Sequence, residues 1–278
     1  MNIKDVLVEA KHKYGIKDFM AGFSGGKDSV TALDVVFKLG KLYGVVYCDT
    51  GIGIQETKDF VMNFCEKRKL ELVITKPKMG ERYEDFVLKN GFPHQGMHNA
   101  IMGYLKGHPL RTWCSKHEGI GILSGVRKFE SNRRGRTAKV FSKDGALTWI
   151  APIIDWRTEQ VWDYVKKNNL PTSPIYKTLH LSGDCLCGAF SDFREAELIC
   201  QFYPELKEKI ISLEKKVFCN KQCKKIHVCK WGNQSSMQGA SQQSQLSYSC
   251  ADCQISNSEV TNGLPPTSKE VGIRPTIL

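Results

Sequence analysis

The chain has 278 residues, of which 41% are hydrophobic and 25% are charged, and it carries a formal net charge of +11. This composition is typical of a globular protein with one large hydrophobic core and room for an appendage. The segment 1–15 is charged throughout and contains no apolar run that could form a signal peptide or a membrane span. We therefore expect a cytoplasmic protein that makes no membrane contact.

Strand-like and helix-like segments alternate through most of the first 165 residues. Such alternation predicts an α/β fold with a doubly wound, mostly parallel, Rossmann-like sheet and helices on both faces. In sheets of this kind, ligands bind beyond the carboxyl ends of the strands, where the segments 24–29, 49–51 and 125–127 fall. The predicted strands are 18–22, 42–48, 71–75, 121–126 and 148–152.

The segment 23–29, Phe-Ser-Gly-Gly-Lys-Asp-Ser, lies between the first predicted strand and a predicted helix at 30–39. Its two glycines let the backbone approach an oxyanion, and the N–H groups at the start of the helix point positive dipoles at it. Lys27 adds a charge, the two serines add hydroxyl groups, and Asp28 could cap the helix or lie near Mg²⁺. The segment therefore predicts a phosphate-binding loop.

A strand-to-helix turn with a helix cap is the simpler alternative for a pair of glycines. Such a turn needs neither the lysine nor both serines, and this favours the phosphate-binding loop. The Walker A spacing G-x-x-x-x-G-K-[ST] occurs nowhere in the chain, so kinase-like or GTPase-like chemistry at a γ-phosphate lacks its main support.

Several motifs, in the same order as in a known family, carry a specific resemblance. The hexapeptide 24–29 resembles the PP-loop of the adenine nucleotide α-hydrolases, which cut ATP between its α- and β-phosphates. Asp-Thr-Gly at 49–51, with Glu-Thr at 56–57, is similar to a segment of the phosphoadenosine phosphosulfate (PAPS) reductase family. The stretches 124–134 and 152–164 resemble that family's G-x-R-x-x-E-S-x-R and P-[IL]-x-x-W … D-V-W-x-Y elements.

The resemblance covers roughly residues 17–200 and implies roles by position. It implies that Lys27, Lys106 and Arg127 are catalytic cations, which stabilise charge on the α-phosphoryl group and on departing pyrophosphate. For Arg127 and Glu130 a surface ion pair stays an open alternative. The implied binding residues for ATP, with Mg²⁺, are Ser24, Gly25, Gly26, Lys27, Asp28, Ser29, Asp49, Thr50, Gly125, Arg127, Glu130 and Ser131.

Departures from the family pattern favour ATP over PAPS as the nucleotide. The C-terminal Glu-Cys-Gly-Leu-His segment of assimilatory PAPS reductases does not occur in the chain, whereas the loop lysine that they usually lack is present as Lys27. Ile101 and Met102 stand where cluster-bearing adenylylsulfate reductases have paired cysteines. The downstream pair, Cys185 and Cys187, is one residue closer together than that scheme requires.

Cysteines are unevenly distributed, since three of the 11 precede residue 185 and eight follow from there on. In a cytoplasmic protein this favours a metal site over a disulfide framework. A [4Fe–4S] cluster, Zn²⁺, and redox-active or buried free thiols all stay open, and a surplus thiol could carry a persulfide. The candidate ligands are Cys185, Cys187, Cys229, Cys250 and Cys253.

The positive charge is concentrated in the segment 1–231, which carries 38 basic and 26 acidic side chains, a formal charge of +12. Such an excess suits a nucleic-acid partner, although a solvated basic surface stays open. We expect a PP-loop enzyme that cleaves ATP to AMP and pyrophosphate and adenylates an acceptor for sulfur transfer. DNA or tRNA would be the acceptor, and a sulfur donor such as a cysteine desulfurase would be a partner.

Other functions and the division into domains follow from the same features. A PAPS or adenylylsulfate reductase, a sulfate adenylyltransferase and a non-enzymatic nucleic-acid-binding module stay open as alternatives. We divide the chain into a PP-loop nucleotide-binding domain at 1–200, a helical, cysteine-rich metal-binding extension at 201–253 and a flexible tail at 254–278.

Overall fold

A computed structural model describes residues 2–191, 193–221 and 230–232. Three of the predicted metal ligands, Cys229, Cys250 and Cys253, lie outside the described residues, as does the predicted tail at 254–278. Within the described part of the chain, no helix is both long and apolar enough to cross a membrane.

A six-stranded sheet forms the centre of the molecule. Its strands are β1 (Asp18–Gly22), β2 (Leu42–Cys48), β3 (Glu71–Thr75), β4 (Ile120–Leu123), β5 (Phe141–Asp144) and β6 (Leu147–Ile150). The strand order is β3-β2-β1-β4-β6-β5, and all neighbours pair in parallel except β5, which pairs antiparallel with β6 at one edge. The predicted α/β fold with a mostly parallel sheet is confirmed.

Helices connect the strands and continue beyond the last one. They are α1 (Ile3–Tyr14), α2 (Lys27–Lys38), α3 (Gln55–Lys67), α4 (Tyr83–Asn90), α5 (His98–Met102), α6 (His108–Cys114), α7 (Asn132–Thr137), α8 (Thr158–Lys167), α9 (Tyr176–Leu179), α10 (Phe193–Phe202) and α11 (Pro204–Lys221). A π-helical turn, Gly103–Gly107, joins α5 to α6.

Alternate residues of the central strands enter different hydrophobic clusters on the two faces of the sheet. In β1, Phe19 and Ala21 pack into the larger cluster, with apolar residues of α1, α2, α3 and α8. Met20, between them, packs into a smaller cluster with Leu110 and Cys114 of α6. Strands buried on both faces read as continuous apolar runs, which is why β1 and β2 are recognisable in the sequence.

The loops that follow β1 and β4 meet at one edge of the sheet. The chain leaves β1 towards β2 on one side, whereas β4 lies on the other side of β1. A crevice therefore forms between the carboxyl ends of β1 and β4, at the point where the strand order reverses. The loops 23–26 and 124–127 lie there.

A third hydrophobic cluster joins the C-terminal helices to the loops above the sheet. Leu206, Ile210 and Leu213 of α11 pack in it with Phe86 and Val87 of α4. The predicted boundary after residue 200 falls inside α10, and α10 contacts α11 and α9. The remainder of the domain division stays a prediction, because most of the segment 222–278 lies outside the described residues.

Candidate functional site

The loop between β1 and α2 is held in shape by two serine hydroxyl groups. Ser29 Oγ donates to the carbonyl oxygen of Gly26 at 2.9 Å and lies 3.0 Å from Ser24 Oγ. Gly25 adopts a φ of 81°, which residues with a Cβ rarely adopt, and its carbonyl accepts from the N–H of Ser173 at 2.8 Å. The loop is therefore a tight turn fixed at both ends.

The start of α2 offers backbone N–H groups to an anion. Gly26 is the N-cap and has no side chain with which to cap the helix. The first N–H groups of a helix have no partner within it, and the helix dipole is positive there. This geometry suits a phosphate group at the predicted loop.

Behind the loop lies a buried cluster of charges. The carboxylate of Asp28 accepts from Lys27 Nζ at 2.9 Å through one oxygen and from Arg127 Nε at 2.6 Å through the other. Lys27 and Arg127 are 2% and 1% exposed. Arg127 also donates to the carbonyl oxygen of Trp156 and to Thr158 Oγ1, both at 3.3 Å. Neither cation lines the cavity in front of the loop, so both lie in a layer that supports it.

Gly125, after β4, fits directly against the loop backbone. A Cβ at this position would lie 2.6 Å from the carbonyl carbon of Asp28 and 2.7 Å from the backbone nitrogen of Ser29. Only a residue without a side chain allows this approach, which explains the glycine in the second motif. Contact between the two motifs fixes the loop relative to β4.

A cavity of about 800 Å³ opens in front of the loop. Its walls come from the loop, from the π-helical turn between α5 and α6, from the start of α7 and from the segment 181–191. Polar and charged side chains around it include Ser24, Asp28, Ser29, His98, Lys106, Glu130, Arg133, Arg134 and Asp184. The volume is in the range of ordinary small-molecule and cofactor sites.

Lys106 lies in the π-helical turn, and π-helical turns often occur at functional sites. Its Nζ is 2.5 Å from Asp184 Oδ2, and Asp184 Oδ1 accepts from Ser182 Oγ at 2.7 Å. Burial opposes a charge on Lys106, but the carboxylate of Asp184 more than offsets this and raises the pKa of the lysine well above its usual value. A fixed cation therefore lines the cavity.

Two further arginines line the cavity at the start of α7. Ser131 is the N-cap of this helix, and its Oγ accepts from the N–H of Arg134 at 3.2 Å. Arg134 Nε lies 3.4 Å from Glu130 Oε2, and the Arg133 guanidinium lies 5.4 Å from the centre of the Phe190 ring. The predicted residues Glu130 and Ser131 thus position these arginines, which belong to a basic cluster in the sequence but were not among the predicted binding residues.

His98 is another cavity residue that the sequence analysis missed. Its ring meets the Phe190 ring edge-on, with 4.6 Å between the centroids. The pKa of His98 is lowered to about 4. Burial is the largest cause, and the positive charges of Arg133, Arg134 and Lys106 add to it. The imidazole is therefore neutral near pH 7 and adds no charge to the cavity.

Asp49 and Thr50, predicted to lie by the adenylate, follow β2 at the same edge of the sheet. Asp49 accepts from Lys58 at 2.9 Å and lies 3.6 Å from Lys76 Nζ. Thr50 Oγ1 donates to the backbone carbonyl of Asp184 at 3.1 Å. Thr50 therefore lies against the segment that contains Asp184, the partner of Lys106. Asp49 is engaged in ion pairs with the two lysines.

Among the candidate metal ligands, the described residues include Cys185 and Cys187, and both line the cavity. The pKa of Cys185 is raised well above its usual value, first by its hydrogen bond with Cys187 and to a smaller extent by burial. Within residues 2–191, 193–221 and 230–232, no group of three or more His, Cys, Asp or Glu side chains could hold a metal ion. The cysteine pair alone does not complete a zinc or cluster site.

Comparison with known proteins extends these observations. A sequence profile of the phosphoadenosine phosphosulfate reductase domain matches residues 18–187. The chain belongs to this family. The resemblance carried by the PP-loop and the motifs after it is thereby confirmed. The matched segment of this chain contains the loop, Lys106, Arg127 and Cys185.

Relatives of several kinds carry the same domain. An uncharacterized protein of Methanocaldococcus jannaschii is 29% identical over 198 residues, which are 70% of this chain and 47% of that protein. An adenosine 5′-phosphosulfate reductase of Staphylococcus haemolyticus is 26% identical over 190 residues, 66% of this chain and 74% of that enzyme. The chain spans less than half the length of the first relative and 40% of a second M. jannaschii protein.

Among solved structures, the phosphate complex of the PAPS reductase of Candida auris is similar to this chain. The two share 20% sequence identity, with a TM-score of 0.47, over 63% of this chain and 83% of the other.

Proposed function

We propose that this PAPS reductase family member binds ATP in the cavity, cleaves it between the α- and β-phosphates, and adenylates an acceptor for sulfur transfer. We propose that the acceptor is a nucleic acid, which the enzyme thiolates or modifies by phosphorothioation-like chemistry. We also propose that the reaction takes place in the cytoplasm. The observation that supports this most is the PP-loop, which retains Lys27 and opens onto a cavity with Lys106 in its wall.

The proposed placement of ATP follows from the charges. Pyrophosphate would lie at the loop and the start of α2, where backbone N–H groups face an anion. Lys106, Arg133 and Arg134 would lie nearer the α-phosphate, because they line the cavity in front of the loop. Lys27 and Arg127 would stabilise the phosphate charge from behind the loop, where both form ion pairs with Asp28.

Mg²⁺, when bound, would neutralise phosphate charge. Asp28, Glu130 and Asp184 are among the carboxylates that line the cavity, and each of the three already lies against a cation. The ion would therefore be held mainly by phosphate oxygens and water, as is common for Mg²⁺ at nucleotides. The residues present fit a nucleotide-bound magnesium ion better than a dedicated protein site.

The proposed reaction has two stages. An acceptor oxygen attacks the α-phosphorus, the bond from that phosphorus to the bridging oxygen breaks, and pyrophosphate leaves with the electron pair. A persulfide sulfur then displaces AMP from the acceptor, and a second thiol reduces the resulting disulfide and releases the thiolated product. An external thiol reductant regenerates the thiol pair. Fixed cations stabilise the charge that builds on the phosphates in the first stage.

The persulfide would arrive on a donor protein such as a cysteine desulfurase. Nucleophilic sulfur is the thiolate, and the raised pKa of Cys185 disfavours its thiolate in this structure. Bound [4Fe–4S] or Zn²⁺ stays a proposal that depends on cysteines outside the described residues, and no step above passes through a metal.

Reduction of adenylylsulfate or PAPS to sulfite is the second candidate function. It is favoured by relatives named adenosine 5′-phosphosulfate reductase and by the two thiols, Cys185 and Cys187, that line the cavity. In that case a thiol would attack the sulfur of the substrate, and the nucleotide would leave. A second thiol would then displace sulfite from the S-sulfonated thiol, and an external thiol reductant would reduce the resulting disulfide.

One experiment separates the two functions. The protein, purified without oxygen, is incubated with magnesium ATP and with sulfate, tRNA or DNA in turn, and AMP and pyrophosphate are measured by chromatography. We expect pyrophosphate release that depends on nucleic acid; release with sulfate would instead indicate a sulfate adenylyltransferase. Sulfite from adenylylsulfate or PAPS, with no pyrophosphate release from ATP under any condition, would refute the proposal.

A variant of the loop lysine makes the experiment specific. Lys27→Met should lower AMP formation at least about 100-fold, because the preorganised positive charge directly behind the phosphate-binding loop is lost. Lys4→Met, at an exposed position on α1, is the control and should leave the rate unchanged. Thermal unfolding of Lys27→Met checks that the fold is retained, since Lys27 is buried.

A further inference from the structure

A second cavity, of about 410 Å³, lies against α6. It is formed by the end of β3, the loop that follows β3, and residues of α6 and just beyond. We call it the α6 groove and define it by Lys76, Lys78, Glu81, Arg111, Trp113 and Lys116. None of these residues belongs to the PP-loop site predicted from the sequence.

Positive charge predominates in the α6 groove. Four basic side chains line it, namely Lys76, Lys78, Arg111 and Lys116, and Glu81 is the single acidic residue among the described residues that line it. A concave surface with one sign of charge concentrates the electrostatic potential and attracts an anion. The groove is therefore suited to a ligand with more than one negative charge.

The ion pairs of these cations are at least partly exposed, and they include the pair of Arg111 with Asp144, whose side chain is 56% exposed. Lys78 Nζ lies 3.4 Å from Glu81 and Lys76 Nζ lies 3.6 Å from Asp49, and the two lysine side chains are 77% and 64% exposed. Lys116 forms no ion pair with any residue that the structure describes. Exposed pairs of this kind contribute little free energy, so a phosphate can replace the carboxylates at low cost.

Arg111 connects the α6 groove to the nucleotide cavity. It lines both, because α6 forms a wall that the two share. Gly107 and Leu110 line the nucleotide cavity from the same wall, whereas Trp113 and Lys116 line the groove. The two cavities are therefore adjacent, and a ligand with several phosphates could contact both through α6.

We propose that the α6 groove binds the phosphodiester backbone of a nucleic-acid strand and presents one nucleotide of it to the nucleotide cavity. The inference rests on the proposed function, because it assigns a binding surface to the nucleic-acid acceptor. Trp113 gives the groove an aromatic side chain, and aromatic residues among cations are typical of surfaces that hold unpaired strands.

Charge reversal in the groove tests the inference. Lys78→Glu combined with Lys116→Glu should weaken binding of a fluorescein-labelled single-stranded oligonucleotide, or of labelled tRNA, by about tenfold or more in anisotropy titrations. The slope of log K against log salt should become shallower by about 1.4, since each lost phosphate contact on a single strand accounts for about 0.7. ATP binding, measured by equilibrium dialysis, should not change.

The matched control makes the same change in charge on the opposite face of the sheet, where α8 packs with α2. Lys166→Glu combined with Lys167→Glu lies at the end of α8, next to Asn168, which contacts Lys38 at the end of α2. We expect binding close to that of the unaltered protein. Lys78→Arg with Lys116→Arg keeps the charge and should also bind normally.

Each other outcome overturns the inference in its own way. Equal weakening by the groove and control variants would mean that net charge alone attracts the strand. Loss of ATP binding in the groove variant would assign the groove to the nucleotide. Failure of the unaltered protein to bind any nucleic acid, with pyrophosphate release on sulfate, would remove the acceptor class and the groove's role but keep the α-phosphate chemistry.

Discussion

Replacing Gly125 by alanine tests how the PP-loop is held. The added Cβ would lie 2.6 Å and 2.7 Å from backbone atoms of Asp28 and Ser29, which is well inside ordinary contact distance. Backbone atoms cannot turn aside as the end of a flexible side chain can, so the loop and the segment 124–127 must separate. Overpacking of this kind costs about 1–3 kcal/mol.

Both stability and nucleotide binding should respond to this substitution. A chain of this size loses about 2–4 °C in the unfolding midpoint for each kcal/mol, so Gly125→Ala should lower it by about 2–12 °C. A shift of about 1 Å in catalytic geometry costs on the order of 100-fold in rate, so AMP formation should fall by about that factor. Differential scanning fluorimetry and the AMP assay measure the two effects.

Gly135→Ala is the matched control for the same chemical change. Gly135 lies within α7, and a Cβ there would meet only the carbonyl oxygen of Lys128, at 3.4 Å. Alanine is the better helix former, so this variant should be as stable as the parent or more stable by about 0.5–1 kcal/mol. An unfolding midpoint of Gly125→Ala equal to that of the parent, with ATP binding unaltered, would refute the close contact between the two motifs.

Two further predictions concern single charged groups. Burial alone would raise the pKa of Asp34, but hydrogen bonds from Arg68, Lys38 and Tyr164 outweigh it and lower the pKa below its usual value. The stabilisation is therefore present above about pH 4 and is lost as pH falls through the lowered pKa; Asp34→Asn should lose about 2 kcal/mol at pH 7 and show a flatter acid limb in urea unfolding. Lys106→Met should lower the rate of AMP formation about 100- to 1,000-fold with the fold intact, whereas Lys106→Arg should retain part of the rate. An unchanged rate in Lys106→Met would exclude this lysine from the chemistry.

Three strands, β1 to β3, match their predicted bounds because each is a short, mostly apolar run between clear turn signals. β4 and β6 start one residue earlier and end two or three residues earlier than predicted. β5 was missed because it lies at an edge, is mostly exposed, and therefore lacks an apolar pattern. The signal available for β5 was Gly145, since glycine is favoured at the first position of a two-residue hairpin loop, here 145–146, and Gly145 has a φ of 61°.

The sequence predicted where the candidate site lies, but it did not predict which side chains line the cavity and which lie behind the loop. Motif order brings the segments 24–29 and 124–131 together, and the structure agrees. Whether Arg127 faces the cavity or the protein interior depends on the backbone around it, and here Asp28 draws it behind the loop. Asp184 is separated from Lys106 by 78 residues, so no local pattern announces that pair.

The C-terminal part of the described chain is coupled to the cavity by a continuous series of contacts. Trp231 Nε1 donates to the carbonyl oxygen of Leu186 at 3.0 Å, and a Cβ on Gly188 would lie 2.8 Å from the indole ring. Glu214 of α11 accepts from the N–H of Trp231 at 3.1 Å and so fixes the indole to the last described helix. The loop held in this way also contains Asp184, the partner of Lys106. The position of a predicted catalytic lysine therefore depends on packing by a segment that lies beyond residues 18–187, the part of the chain that matches the family profile.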